Sequence, residues 1–270
     1  MINDFTQATI GKTGLRAFRL GLSATYRPGE DVIRQAIDAG VNYFFLYGID
    51  GQMIRVLRDV LRRDREKYVV ATGAYNYIWW RQNFRKALDK RLRQLNTDYL
   101  DIFQFMGVMK PKEFDGRARD ELQTVRADGR VRAVAISTHH RRLARELADR
   151  REVDALMVRY NAAHRGAEEE IFPFTARSGT GVISYTATRW TYLLRPPRDW
   201  PPDGRVPTAG ECYRFVLTNP HVDVALSAPS NAKQLAENLA AVRQGPLSED
   251  DMRFMREFGD AVHRMKKWFM

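Results

Sequence analysis

Cysteine is all but missing from these 270 residues: Cys212 stands alone, which excludes an internal disulfide and a metal centre built on thiolates. Long apolar runs are missing too, none approaching the roughly 20 residues that a membrane-crossing helix needs. The opening Met-Ile-Asn-Asp-Phe-Thr lacks the basic and apolar segments of a signal peptide. A cytoplasmic protein without a membrane partner is therefore expected. Acidic side chains fall short of basic ones, 33 against 44, leaving a formal charge of +11. The bases are scattered along helical stretches, as in Arg81, Arg85, Lys86, Lys90, Arg91 and Arg93, which reads as a solvated helix face. No recognition helix, zinc finger or aromatic RNA-binding signature accompanies them, so no nucleic-acid partner is expected. The surplus does favour anionic small molecules near the protein, nucleotide phosphates included.

What is present suffices for a sizeable core, with 44% hydrophobic and 11% aromatic residues. No Pro/Ser-rich linker divides the chain, so residues 1–270 read as a single domain. One stretch, Ala36-Ile-Asp-Ala-Gly-Val-Asn-Tyr-Phe-Phe-Leu-Tyr-Gly48, sets the pattern. A helix stops at Gly40, where a residue without Cβ takes the left-handed turn of a cap. Val41–Leu46 is apolar except for Asn42, too short for a helix and rich in β-formers, so it predicts a strand covered on both faces. The strand closes on Tyr47-Gly48, and a new helix begins near Asp50.

The same alternation runs through the chain. Ile10–Leu15 predicts a short hairpin around Gly11 and Gly14, followed by a strand at Ala17–Ala24 and a helix at Glu30–Ala39. Met53, Leu57, Val60 and Leu61 recur at helical spacing before a strand at Tyr68–Thr72. Phe84, Leu88, Leu92 and Leu95 mark a helix before Tyr99–Met106, and Glu121–Arg126 a helix ending near Gly129 before Val131–Ser137. Helix Arg141–Arg150, strand Ala155–Val158, helix Glu168–Arg177 and strand Gly181–Tyr185 follow. After a Pro-rich loop come helix Gly210–Thr218, strand Val222–Leu226, helix Ala232–Arg243 and a last helix, Asp250–Trp268. About eight strand–helix units in about 250 residues predict an α/β fold, the (β/α)8 TIM barrel, with an N-terminal β-hairpin and an extra C-terminal helix. An open doubly wound sheet is disfavoured, because no Gly-rich dinucleotide fingerprint follows the first strand.

A barrel builds its site at the C-terminal mouth, just after each strand. Here that mouth receives Tyr47, Gly73-Ala-Tyr75, Met106-Gly107, Ser137-Thr-His-His140, Arg159-Tyr-Asn161, Tyr185-Thr186 and Ser227-Ala-Pro-Ser230. No carboxylate pair stands there for glycosidase-type work, and no His/Asp/Glu cluster has metal-ligand spacing. His139 and His140 read as helix-start residues beside a cap at Thr138. Tyr75, Tyr77, Trp79 and Trp80 either wall a pocket or open the next helix and pack on the barrel.

Laid out in this order, the chain resembles the aldo-keto reductase family over nearly its whole length. The resemblance is carried by Thr13-Gly-Leu15 with Leu20-Gly-Leu22, Ala36–Phe44, Tyr99-Leu-Asp-Ile102, Gly129-Arg-Val-Arg-Ala-Val134, Tyr160-Asn161 and Gly181-Val-Ile-Ser-Tyr185. In the tail it rests on Arg214-Phe-Val-Leu, Ser230-Asn231, Gln234-Leu235, Glu237-Asn238-Leu239 and Gly245-Pro-Leu-Ser-Glu249. It implies hydride transfer between NADP or NAD and a small-molecule carbonyl or alcohol, assisted by an Asp, Tyr, Lys and His tetrad. Tyr47 falls at the Tyr, but Phe45, Gly73 and Met106 stand where Asp, Lys and His are usual. Met106 and Arg159 are then expected near substrate, Arg159 either as a substitute cation or in a structural ion pair.

The same resemblance assigns cofactor contacts to Ser137, Asn161, Tyr185, Ser230, Asn231, Gln234 and Asn238, with Tyr185 stacking on the nicotinamide. Arg189, in Thr186-Ala-Thr-Arg-Trp190, either contacts phosphates or ties down the Pro-rich loop. A phenol with an ordinary pKa near 10 is a sluggish proton donor at neutral pH, and losing acid/base help costs on the order of 10²–10⁴-fold. The expected function is an NAD(P)-dependent oxidoreductase with an atypical site centred on Tyr47. The alternatives are a catalytically degenerate barrel that binds nucleotide or a protein partner, and a cofactor-independent isomerase or lyase.

Overall fold

In strands covered on both faces, odd and even residues must each find an apolar layer. A computed structural model, which describes residues 4–76 and 81–265, shows how both layers are filled. A hairpin of β1 (Gln7–Thr9) and β2 (Arg16–Phe18) leads into β3 (Leu20–Ser23), α1 (Glu30–Asp38), β4 (Tyr43–Phe45), α2 (Gly51–Asp64) and β5 (Val69–Tyr75). Then come α3 (Phe84–Leu95), β6 (Leu100–Val108), α4 (Gly116–Ala127), β7 (Val131–Thr138), α5 (Arg141–Asp149) and β8 (Ala155–Arg159). Two short helices, α6 (Ala167–Glu170) and α7 (Phe172–Ser178), precede β9 (Gly181–Tyr185). The chain continues through α8 (Ala209–Thr218), β10 (Val224–Ser227), α9 (Ala232–Arg243) and α10 (Glu249–Met265). Strands β3 to β10 close into a barrel in chain order, with β10 parallel to both β3 and β9. The expected (β/α)8 barrel, with its hairpin and extra C-terminal helix, is the fold observed.

The register sends Tyr43, Phe45, Ala71, Ile102, Met106, Ala135, Met157 and Ile183 into the barrel. Their neighbours Phe44, Val70, Phe103, Phe105, Ile136, Leu156 and Val182 face the helices. Alanines at 71, 133, 135 and 155 leave room for Tyr43 and Phe45, which are 0% and 1% exposed.

The hairpin is centred where the sequence suggests and reaches further on both sides. Ile10–Leu15 is its turn, and the predicted strand Ala17–Ala24 divides at Arg19, whose N–H donates to Thr6 O while its carbonyl accepts from Ala225 N–H. The chain changes sheets at that residue. The helix predicted at Glu168–Arg177 also divides, because Pro173 has no N–H to continue a ladder and takes a place in the first turn of α7. Tyr77, Trp79, Trp80 and the end of the last predicted helix at Trp268 lie outside the described residues. No described helix is long and apolar enough to cross a membrane.

Candidate functional site

Beyond Leu46, whose N–H still donates to Ala71 O of β5 at 3.0 Å, side chains rather than strands hold the backbone. The Asp50 carboxylate accepts the N–H groups of Tyr47 and Gly48 at 2.6 and 3.1 Å. On the carbonyl side, the Arg91 guanidinium donates to Tyr47 O, Gly48 O and Gly73 O, each at 3.2 Å. Arg91 is only 4% exposed, which corrects its expected place on a solvated helix face. Its spacing from Leu88, Leu92 and Leu95 puts it on the buried stripe of α3, where main-chain oxygens replace water. Gly48 sits at φ 82, and a Cβ there would strike that guanidinium.

The backbone so fixed aims the Tyr47 ring into the mouth. It meets Phe45 edge-on at 4.9 Å and stacks on Tyr75 at 5.9 Å. Burial raises the phenol's pKa and the Asp50 charge adds to the effect, while a hydrogen bond with Thr25 opposes it. Tyr47 is therefore a neutral donor at physiological pH. Thr25 is exposed and its Oγ1 lies 2.8 Å from Ser23 Oγ, so hydroxyl groups lead from the phenol to the surface. Phe45 and Met106 line the same space with apolar side chains, and Gly73 offers none.

That space is a cavity of about 850 Å³ at the C-terminal mouth, large enough for a dinucleotide-sized ligand. It runs from Tyr47, Tyr75, Met106, Ser137 and Tyr185 to Ser230, Gln234 and Asn238. Among its described lining residues there is no Lys, Arg or Asp, and Glu237 is the carboxylate. The starts of α8, at Pro207-Thr208-Ala209, and of α9, at Ser230, both open onto it. Such helix ends carry partial positive charge from aligned peptide dipoles. Ser230 N–H and Oγ both lie within hydrogen-bond distance of Gln234 Oε1, at 2.9 and 3.0 Å, and Asn238 Nδ2 reaches Ser227 Oγ at 3.3 Å.

Seven residues singled out from the sequence thus share one cavity: Tyr47, Met106, Ser137, Tyr185, Ser230, Gln234 and Asn238. Four others stand outside its lining. Asn161 is fully buried and braces the turn after β9, donating from Nδ2 to Thr186 O at 2.9 Å. Arg189 is fully buried and donates to Val262 O at 2.8 Å, tying the loop to α10. Asn231 caps α9, accepting from Gln234 N–H at 3.0 Å. Arg159 borders a separate small cavity with Arg141 and His164, where burial and these cations push His164 down to about 3.

Thr25 and Tyr213 are among the lining residues that the sequence did not single out, and His139 is one that it placed differently. His140, not Thr138, caps α5, with Nδ1 accepting from Leu143 N–H at 3.1 Å. His139 instead lines the cavity, its Nε2 lying 2.8 Å from the Tyr185 hydroxyl and its ring edge-to-face with Tyr185 at 5.3 Å. The alternation along β7 carries this signal, since Ala133, Ala135 and Ser137 face inward and 139 is the next position in step.

The chain resembles known proteins in sequence and in fold. The sequence model of the Aldo/keto reductase family matches residues 21–195. The "Uncharacterized oxidoreductase YqkF" of Bacillus subtilis is 20% identical over 92% of each chain. The L-galactose dehydrogenase of Arabidopsis thaliana is 23% identical over 87% of each. Among solved structures, the holo form of aldo-keto reductase AKR11C1 from Bacillus halodurans superposes with a TM-score of 0.76 at 18% identity, covering 95% of this chain and 97% of that one.

Proposed function

The chain belongs to the aldo/keto reductase family, whose members are NAD(P)H-dependent oxidoreductases, and on that footing we propose that it interconverts a small carbonyl compound and its alcohol at an atypical site. Of the expected tetrad this site keeps Tyr47 alone. The observation that carries the reading is the single cavity that joins Tyr47 and Tyr185 at one end to Ser230, Gln234 and Asn238 at the other.

The cavity suits NADP(H) or NAD(H) in size, in its two helix starts and in its hydroxyl-bearing wall. Ser230, Gln234 and Asn238 would hold the adenosine end, Ser137 and Tyr185 the nicotinamide end. The bound nucleotide supplies or takes up hydride. Everything else falls to the protein. Tyr47, neutral at physiological pH and made a weaker acid still by burial, donates a hydrogen bond that orients the carbonyl oxygen and gives up a proton slowly as an alcohol forms. Thr25 returns a proton to Tyr47 from the surface. The Tyr75 and Phe45 rings exclude water from one side of the phenol.

Titration with NADPH and NADH, followed by turnover over a panel of carbonyl compounds, tests this. Submillimolar binding with turnover that collapses in Tyr47→Phe is the expected result. A folded protein that binds neither nucleotide below about millimolar, an affinity of only about 4 kcal/mol, would refute it. The apolar Phe45 and Met106 and the bare Gly73 favour a second reading, a barrel that binds nucleotide without chemistry; tight binding with no turnover supports that one. Turnover without nucleotide points to an isomerase or lyase.

A further inference from the structure

We infer that His139 is a positioning residue for the nicotinamide end of the site, acting through Tyr185; this rests on the coenzyme reading above. A tyrosine ring serves as a stacking platform only if its plane is fixed, and two separate freedoms must be removed. The phenol oxygen lies on the Cβ–Cζ axis, so a hydrogen bond to it pins the direction of that axis and leaves the ring free to rotate about it. The 2.8 Å contact between Tyr185 OH and His139 Nε2 does the first. The imidazole stands edge-to-face to the ring, with centroids 5.3 Å apart and planes at 76°, and this contact does the second, because such pairs hold a preferred mutual angle. One side chain removes both freedoms.

The wall around this pair has few other ways to orient a carboxamide ring. Met157 is apolar, and Thr138 uses its hydroxyl to accept from His140 N–H at 3.0 Å. Thr186, which also lines the cavity, donates its hydroxyl to Tyr185 O at 2.6 Å, and Ser137 and the His139–Tyr185 pair stand with it among the polar groups on this wall. Tyr185 is itself half-buried on β9, so the ring is anchored at its base by the barrel and at its tip by the imidazole. Pre-fixing a side chain that a ligand would otherwise have to immobilise improves affinity by reducing the entropy lost on binding.

The test is calorimetric and needs no turnover. Dissociation constants for NADH, NADPH and ADP-ribose, which lacks the nicotinamide, are measured for the wild type, His139→Phe, His139→Gln, Tyr185→Phe and the double variant. His139→Phe and Tyr185→Phe should each weaken the nicotinamide nucleotides about five- to tenfold and leave ADP-ribose unchanged. The double variant should lose no more than either single one, because both remove the same contact. His139→Gln keeps a partner for the phenol and should recover some of the loss. A wild type that binds no nicotinamide nucleotide would sink the coenzyme reading and this one with it. Nicotinamide nucleotides that bind the wild type and His139→Phe equally, or an equal loss for ADP-ribose, would overturn the role of His139 alone.

Discussion

Replacing Arg91 by methionine should destabilise the protein from the mouth of its barrel. The guanidinium is buried and donates to three main-chain oxygens and to Gln94 Oε1. Gly48 O keeps a second donor in Gln94 Nε2 at 3.2 Å, whereas Tyr47 O and Gly73 O lose a charged one. A buried acceptor deprived of its partner costs about 1–3 kcal/mol, so two of them cost roughly 2–6 kcal/mol. Methionine refills much of the volume, and removing a buried cation relieves its desolvation. The net loss should be about 3 kcal/mol, which at about 2.1 cal/mol/K per residue lowers the Tm by roughly 5 °C. Arg91→Lys, with a point charge that cannot reach three oxygens at once, should lose about half as much. Calorimetric melting of the three proteins decides the matter. An Arg91→Met protein that melts within about 1 °C of wild type would refute the claim that this fork holds the ends of β4 and β5.

Burial raises Asp223 to about 6, against the pull of N–H groups from Val182 and Gly11 and of the Arg19 charge. Because the folded state holds this proton more tightly than the unfolded one, stability should fall as pH rises from about 4 to about 6 and level off above; Asp223→Asn, read by urea unfolding across that range, should abolish the slope. Thr25→Val cuts the hydroxyl path from Tyr47 to the surface and should lower kcat roughly tenfold with nucleotide affinity intact. Equal kcat for Thr25→Val and wild type removes Thr25 from proton delivery.

The fold was legible because barrel strands and helices leave different periods in the sequence. Val41–Leu46 is too short and too apolar for anything but a covered strand, and Met53, Leu57, Val60 and Leu61 fall on one helix face. The edges failed where the backbone decides alone: Arg19 joins two sheets without a break in hydrophobicity, and Pro173 stops one helix by starting another. At the site, Tyr47, Ser137 and Tyr185 could be placed because alternation still holds at strand ends. Asn161 and Arg189 lie one step further, in turns where a polar side chain reads the same whether it meets a ligand or a carbonyl. The structure gives both to carbonyls. His139 and Arg91 carried usable signals, one in the step of β7 and the other in the apolar stripe of α3. Polarity masked them, since a histidine pair beside a helix start and a base among bases both have ordinary explanations.

At Gly73 the barrel has closed over the place where any side chain would begin. A Cβ there would overlap Gln104 O and lie 2.7 Å from Gln104 N, well inside van der Waals contact. These are main-chain atoms of β6, paired in register with β5 from Ala71 to Tyr75, and they cannot swing aside as a side chain would. Any larger residue there would have to force β5 and β6 apart, so the mouth can gain a side chain at this position only if β6 shifts first.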